Sequence, residues 1–183
     1  EYLVVRQWSG WAQQFLEKEN PMLDLKNWLN PGHYLRLWNV GPAGFLMSLF
    51  LIYLIHTIEI SMMFKTFELE GFWLLTLVLI TAADFFILMV WVLFSLPPKN
   101  RGIKLSRVGI YGYIRHPIYT AIIYHLTIFC ALFWGSYALL FFIPFHHALW
   151  SKIVIREEEY LVGIFGQDYV DYMSDVPRFI PWK

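Results

Sequence analysis

An arginine, a histidine and a proline stand where the chain changes from polar to apolar. Residues 115–117 close the stretch GIYGYIRHP and open an apolar run that continues to Trp134. Ionisable side chains are costly inside a bilayer, so groups at this boundary need either water or an oppositely charged partner. The sequence offers such partners further on, in the three consecutive glutamates of residues 157–159. We therefore take these two segments as the candidate chemical site.

Two kinds of chemistry fit this charge pattern. Opposite charges near a membrane surface can form a purely structural cluster of ion pairs. They can also form a pocket for a zwitterion, in which carboxylates hold an ammonium group and cations or backbone N–H groups hold a carboxylate. Tyrosines such as Tyr111, Tyr113 and Tyr119 would then pack against a ring of the ligand. Spacing alone leaves both interpretations open.

Six histidines raise the question of a metal site. His116 and His125 lie far apart along the chain, whereas His146 and His147 are adjacent. Adjacent residues leave an α-helix about 100° apart, so this pair is poorly placed to reach one ion. We expect no metal site and hydrogen bonds inside the protein instead. His125 and Asp84 both fall mid-way along apolar segments, so we expect each to pair internally, with each other as one option.

Composition indicates a membrane protein. The 183 residues are 58% hydrophobic, 20% aromatic and only 15% charged, whereas soluble domains carry about 25% charged residues. The net charge is zero, which argues against a nucleic-acid partner and leaves membrane lipids as the expected surroundings. The single cysteine, Cys130, excludes an intrachain disulfide.

Four apolar segments are long enough to cross a bilayer, which takes about 20 residues of helix. They are residues 40–58, 71–96, 118–134 and 137–155. The sequence WGS at residues 134–136 predicts a tight helical hairpin between the last two. A soluble helical bundle is the alternative, but the polar faces that it needs are missing. We predict an all-α integral membrane protein with about four transmembrane helices.

Charge in the loops predicts the orientation. The basic loop, residues 97–116, contains five basic residues and no acidic one. Basic loops stay in the cytoplasm, so this loop, the active site and both termini are expected there. Residues 1–39 mix aromatic and charged residues and predict short interfacial helices. Residues 40–183 would then form the membrane domain, with a ligand-binding core at about residues 99–183.

The chain after the fourth apolar segment predicts a cytoplasmic amphipathic helix. It opens with the three glutamates, and its apolar positions recur at steps of three and four residues. These positions are Leu161, Phe165, Tyr169 and Tyr172. Pro177 and Pro181 would end the helix, which should fold back on the basic loop.

The stretch GIYGYIRHPIYTA, followed by EEEYLVGIFGQDYVDYMSDVPRFIP, resembles the isoprenylcysteine carboxyl methyltransferase family, which includes related phospholipid methyltransferases. The family pattern is G-[IV]-Y, R-H-P-x-Y, a helical hairpin, E-E, L, F-G-x-x-Y-x-x-Y and a closing proline. All of these elements occur in order between residues 104 and 181. The resemblance implies an integral-membrane enzyme that moves a methyl group from S-adenosylmethionine to a lipophilic acceptor from the bilayer.

The resemblance also implies which residues bind the cofactor. They are Lys104, Leu105, Ser106, Tyr111, His116, Pro117, Ile118, Tyr119, Glu157 and Glu158. Glu157 would hold the methionine ammonium, with Glu158 as its neighbour in the E-E pair, and Tyr169 and Tyr172 would close the pocket. Methyl transfer is an in-line displacement at an activated sulfonium, so alignment and exclusion of water matter most. A strong catalytic base is not obligatory, and none is assigned.

One departure from the family pattern concerns the acceptor. The family's carboxyl methyltransferases carry an arginine four residues before the E-E pair, and here that position is Ile153. Arg156 is close in sequence and is a candidate contact for a substrate carboxylate. A prenylcysteine carboxylate is therefore not expected to be the best acceptor.

Two other functions remain as alternatives. Membrane sterol reductases end similarly, with R-H-P-N-Y, and use NADPH. Here Ile118 takes the place of their asparagine, and Ala121 and Ile122 take the place of a glycine and an acid. The third alternative is a membrane scaffold without catalysis. Cofactor binding distinguishes the three.

Overall fold

The computed structural model describes residues 39–64 and 66–181, and every regular element in these ranges is helical. Four helices are long and apolar enough to cross a membrane. They are α1 (Gly41–Ser61), α2 (Gly71–Ser95), α3 (Pro117–Trp134) and a fourth span, Tyr137–Phe165, which begins with α4 (Tyr137–Ile153). Two 3-10 helices, Pro98–Asn100 and Gly109–Gly112, lie between α2 and α3. This confirms the predicted all-α fold. The interfacial helices predicted for residues 1–39 fall almost entirely outside the described ranges, and the domain boundary there stays a prediction.

Small and polar side chains bring α1, α3 and α4 together. A Cβ added to Gly44 on α1 would lie 2.5 Å from the Trp150 ring on α4. The Trp150 indole N–H donates to Ser48 Oγ at 3.0 Å, and His146 Nε2 lies 2.8 Å from the same oxygen. His146 Nδ1 lies 3.0 Å from Thr127 Oγ1 on α3. Close contact and interhelical hydrogen bonds drive helix association in lipid, and His146 has the internal role that was expected.

The α3–α4 hairpin turns at the predicted WGS sequence. Gly135 adopts a left-handed conformation with φ of 63°, which glycine accepts without steric cost. The Leu139 N–H donates to Ser136 Oγ at 3.1 Å and so begins α4. Glu59, buried at the end of α1, accepts the Ser136 hydroxyl and the Ala138 N–H, the latter at 3.1 Å. A carboxylate is favourable at a helix N-terminus, so Glu59 joins α1 to this hairpin.

Within α3, Ala121–Leu126 is π-helical. Two polar side chains leave this stretch towards different neighbours. Tyr124 Oη lies 2.5 Å from His147 Nδ1 on α4, and His125 Nε2 lies 2.5 Å from Asp84 Oδ2 on α2. The second contact confirms the pairing considered for His125 and Asp84. Single π-helical turns are rare and frequently occur at functional sites.

The C-terminal segment forms two helices where one was predicted. Helix α5 is Ile155–Phe165 and α6 is Gln167–Asp175. Gly166 separates them, with φ of 59° and ψ of −135°, a conformation that residues with a Cβ rarely adopt. At its other end α5 almost continues α4, because the intervening Val154 keeps helical dihedral angles. The prediction of a single amphipathic helix was therefore wrong at Gly166.

The residues after α6 pair with the basic loop, as predicted. The Arg115 N–H donates to the Pro177 carbonyl at 2.9 Å, and the His116 N–H donates to the Arg178 carbonyl at 3.0 Å. These bonds hold the C-terminal segment against the start of α3. The end of the bundle where this happens is called the loop end below.

Candidate functional site

A buried carboxylate lies at the centre of the loop end. Glu158 on α5 is 5% exposed. Arg178 Nε lies 3.0 and 3.1 Å from its two carboxylate oxygens, and Arg178 Nη2 lies 2.6 Å from Oε2. Arg115 Nη1 and His116 Nε2 approach Oε1 at 3.1 and 3.3 Å. Such paired arginine–carboxylate contacts are strong and geometrically specific, so Glu158 joins α5, the start of α3 and the C-terminal segment.

Arg178 was not identified from the sequence. Its hydrogen bonds to Glu158 raise the pKa of the guanidinium above its ordinary value. Arg178 Nη1 also donates to the Ser151 carbonyl on α4 at 3.2 Å. The available signal was a single cation directly after Pro177, in a segment otherwise rich in acidic residues. Pro177 was interpreted as a helix end, whereas the charge beside it is what joins the C-terminal segment to Glu158.

Glu157 differs from Glu158 in its partners. Its side chain is 18% exposed and accepts the Tyr119 hydroxyl at 2.5 Å. His116 Nδ1 is 3.9 Å from Oε1 and is a charged partner only when the imidazole is protonated. Within residues 39–64 and 66–181, no arginine or lysine forms a salt bridge with Glu157. Glu157 can therefore accept a cation from outside the chain.

The ring of His116 lies between the carboxylates of Glu157 and Glu158 and is buried. It stacks on Tyr119, with ring centroids 5.5 Å apart and an interplanar angle of 16°. Tyr119 in turn stacks on Trp150 of α4 at 4.5 Å. This column of rings fixes the Tyr119 hydroxyl beside Glu157, so the structure brings these predicted site residues together.

Pro117 and Ile118 position this arrangement. Pro117 is the first residue of α3, where its missing N–H costs nothing and its fixed φ suits the helix. Ile118 packs against the cluster of Tyr119 and Trp150 and against a second cluster under the basic loop. The resemblance implies cofactor contacts for both residues, which stays a prediction; their contribution in the described structure is packing.

The predicted closing tyrosines contact the basic loop. The Tyr172 hydroxyl donates to the Tyr111 carbonyl at 2.6 Å. Leu105 packs against the buried rings of Tyr169 and Tyr172. Burial raises the pKa of both α6 tyrosines and of Tyr111, where the charge of Arg101 opposes it. All three hydroxyls therefore stay protonated near neutral pH, and that of Tyr172 is a hydrogen-bond donor.

Three other predicted residues have different surroundings. Ser106 Oγ donates to the Ser95 carbonyl at 3.0 Å, so it attaches the basic loop to α2. Lys104 and Arg156 are both exposed. Ile153, at the position where the family has arginine, packs against the cluster that contains Tyr119 and Trp150.

Three buried guanidinium nitrogens at the loop end have no hydrogen-bond partner among the described residues. They are Nε and Nη1 of Arg115 and Nε of Arg101. Arg115 Nη1 is close enough to Glu158 for a salt bridge, but its N–H geometry does not make a hydrogen bond. A buried unpaired donor is unusual and calls for an explanation. These groups are suited to a carboxylate or phosphate.

Four of the described histidines contact different polar groups on different helices, and the fifth, His56, stacks on the Trp134 ring. Across the part of the chain that the structure describes, no group of three or more His, Cys, Asp or Glu side chains is placed to hold a metal ion.

Comparison with known proteins gives a partial match. No family model matches the chain. Over 83 residues it is 32% identical to Protein-S-isoprenylcysteine O-methyltransferase from Schizosaccharomyces pombe. This region is 45% of the present chain and 35% of that relative, so the match spans about a third of the relative's length. With the four candidate spans, the similarity is consistent with a multi-pass membrane methyltransferase at the general level.

Proposed function

We propose that this protein is a membrane methyltransferase that uses S-adenosylmethionine and methylates a lipophilic acceptor from the bilayer. The observation that carries the proposal is the contrast between two adjacent carboxylates. Glu158 is enclosed by Arg178, Arg115 and His116. Glu157 is partly open and bonded to the neutral Tyr119 hydroxyl. A chain that only needed a structural ion pair would have no use for the second carboxylate.

The groups at the loop end match the two charges of the cofactor's methionine part. Glu157 would accept the ammonium through charge-assisted hydrogen bonds. The unpaired N–H groups of Arg115 and Arg101 would donate to the carboxylate. The rings of His116 and Tyr119 are buried and stacked beside these groups, so they hold the Tyr119 hydroxyl in place next to Glu157. A zwitterion would thus find partners for both of its charges at one end of the bundle.

The cofactor supplies an already activated methyl group, and the protein's contribution is alignment. Holding two reactants in line replaces a bimolecular encounter by a step within one complex. The contacts of Glu158 with Arg115 and His116 fix α5 against the start of α3, and so fix the direction of Glu157. The positive-inside rule places the basic loop, and this site with it, on the cytoplasmic side.

The acceptor would reach this site from the bilayer with its polar head first. An acceptor carboxylate entering a site of low dielectric needs a fork of donors. Ile153 cannot provide one, and Arg156 is exposed. An amine, hydroxyl or thiol attacks in its neutral form and needs no such fork. We therefore propose a neutral head group as the preferred acceptor.

The test compares two adjacent glutamates by calorimetric titration of the purified protein with S-adenosylmethionine. Glu157→Gln removes the proposed ammonium partner and should weaken binding about ten- to hundredfold, because a charge-assisted hydrogen bond contributes about 1.5–3 kcal/mol. Glu159→Gln is the matched control, since Glu159 is exposed on the same helix, and it should bind as the wild type does. Equal affinities for the two variants would contradict the assignment of Glu157.

A further inference from the structure

Tyr124 and His147 form a titratable pair that the site described above does not use. Tyr124 belongs to the π-helical stretch of α3, and its Oη lies 2.5 Å from His147 Nδ1 on α4. Both side chains are half-buried. The bond joins two spans, and in a purely structural role such an interhelical hydrogen bond contributes on average about 0.6 kcal/mol.

The pair lies next to the candidate site, on its bilayer side. Tyr124 packs against the cluster that contains Tyr119 and Trp150. It follows Tyr119 by five residues on α3, which is about one turn in the π-helical stretch. The His147 ring meets Phe179 edge to face at 5.3 Å, and Phe179 also lies 6.0 Å from the His116 ring. An acceptor that rises from the bilayer along α3 would pass Tyr124 before it reaches Tyr119.

We infer that Tyr124 and His147 relay the proton that a lipophilic thiol loses when it is methylated. This inference rests on the proposed function. The acceptor sulfur forms a bond to the methyl carbon while the bond from that carbon to the donor's sulfonium sulfur breaks. The S–H proton passes to Tyr124 Oη as the phenolic proton passes to His147 Nδ1. The positive charge thus moves from the sulfonium to the imidazolium, which later returns its proton to water.

The chemistry of the pair favours a thiol over an alcohol. A thiol is a far stronger acid than an aliphatic alcohol, so the transfer of its proton to an imidazole is less uphill. The same transfer from an alcohol costs more, and the pair therefore favours a thiol. Tyr124 is the catalytic residue in this scheme because it touches the acceptor, and His147 is the group that receives the proton.

The test uses two lipophilic thiols at pH 7, with labelled S-adenosylmethionine and the full chain in lipid nanodiscs. The first is an alkyl thiol, which is almost entirely protonated at this pH. The second is an electron-poor aryl thiol that is already ionised. Tyr124→Phe should lower kcat for the alkyl thiol by about a hundredfold and for the aryl thiol by less than about threefold. His147→Gln should give the same selective loss, and Tyr53→Phe, at an exposed position on α1, should affect neither thiol.

The outcomes separate this inference from the proposed function. Equal losses with both thiols, or no loss with either, would mean that the pair is structural and would overturn the relay. Methylation of amines or carboxylates but of no thiol would also overturn the relay, while the proposed methyltransferase stands. Failure of the wild type to bind S-adenosylmethionine would overturn the proposed function itself. If Tyr124→Phe does not fold, His147→Gln alone decides between the two roles.

Discussion

Replacement of Glu158 by glutamine should destabilise the protein through the arginines that it leaves behind. The substitution keeps the size of the side chain but removes the carboxylate that holds Arg178 and Arg115. The Arg115 side chain is 8% exposed and that of Arg178 is 34% exposed. Removal of one partner of a buried ion pair costs about 3–5 kcal/mol. Because Arg178 is partly solvated, we expect the lower end, about 3 kcal/mol.

The assay is thermal unfolding of the purified variants in one detergent, followed by circular dichroism without any ligand. For a chain of this length, about 3 kcal/mol corresponds to a fall in Tm of about 6–12 °C. Glu159→Gln, on the exposed face of the same helix, should change Tm by less than about 2 °C. In the Glu158→Gln, Arg178→Met double variant, removal of the second charge should restore part of the loss, because contacting residues are not additive.

Equal unfolding temperatures for Glu158→Gln and Glu159→Gln would refute the stabilising role of Glu158. The contacts of Glu158 would then be peripheral, and the fixed position of Glu157 would need another cause. A double variant whose loss equals the sum of the two single losses would show that Glu158 and Arg178 are not coupled.

Three further predictions concern glycines and the acceptor. Gly44→Ala should destabilise by about 1–3 kcal/mol in chemical unfolding, since its Cβ would meet the Trp150 ring at 2.5 Å; stability equal to the wild type would contradict this close contact. Gly166→Ala should lower the stability by a similar amount for a different reason. Its added Cβ would meet no described neighbour within 4 Å, and the loss comes from the positive φ of Gly166, which residues with a Cβ rarely adopt. Gly163→Ala, with open space and no positive φ, serves as the control for both and should be neutral or slightly stabilising. In methylation assays, thiol- and amine-headed lipophilic acceptors should exceed a prenylcysteine analogue, and turnover of the prenylcysteine alone would contradict the assignment of a neutral head group.

The sequence predicted the spans well because a bilayer imposes a simple rule on composition. The observed helices begin within one residue of the predicted starts at residues 40, 71, 118 and 137. The glycine-containing turn at residues 134–136 was recognisable for a similar local reason. The gathering of His116, Tyr119 and the glutamates at one end followed from the number of spans, since α3 begins and α4 ends on the same side.

The features that were missed depend on tertiary contacts. Glu158 and Arg178 are 20 residues apart, and Glu59 and Ser136 are 77 apart. No periodicity in the chain links such positions. A glycine within a helical pattern can either be tolerated inside the helix or mark the end of the helix. At Gly166 the amphipathic pattern continues on both sides, so the sequence did not reveal the break. The π-helical stretch depends on how Tyr124 and His125 reach α4 and α2, and this is decided by packing.

The most direct test of the central claim is side-by-side calorimetric titration of the wild-type protein with S-adenosylmethionine and with NADPH. The partly open Glu157 beside the unpaired arginine N–H groups predicts saturable binding of S-adenosylmethionine at one site per chain and no binding of NADPH. Saturable binding of NADPH without binding of S-adenosylmethionine would contradict the proposed methyltransferase and favour a reductase. Binding of neither ligand would also contradict it and favour a membrane scaffold without catalysis.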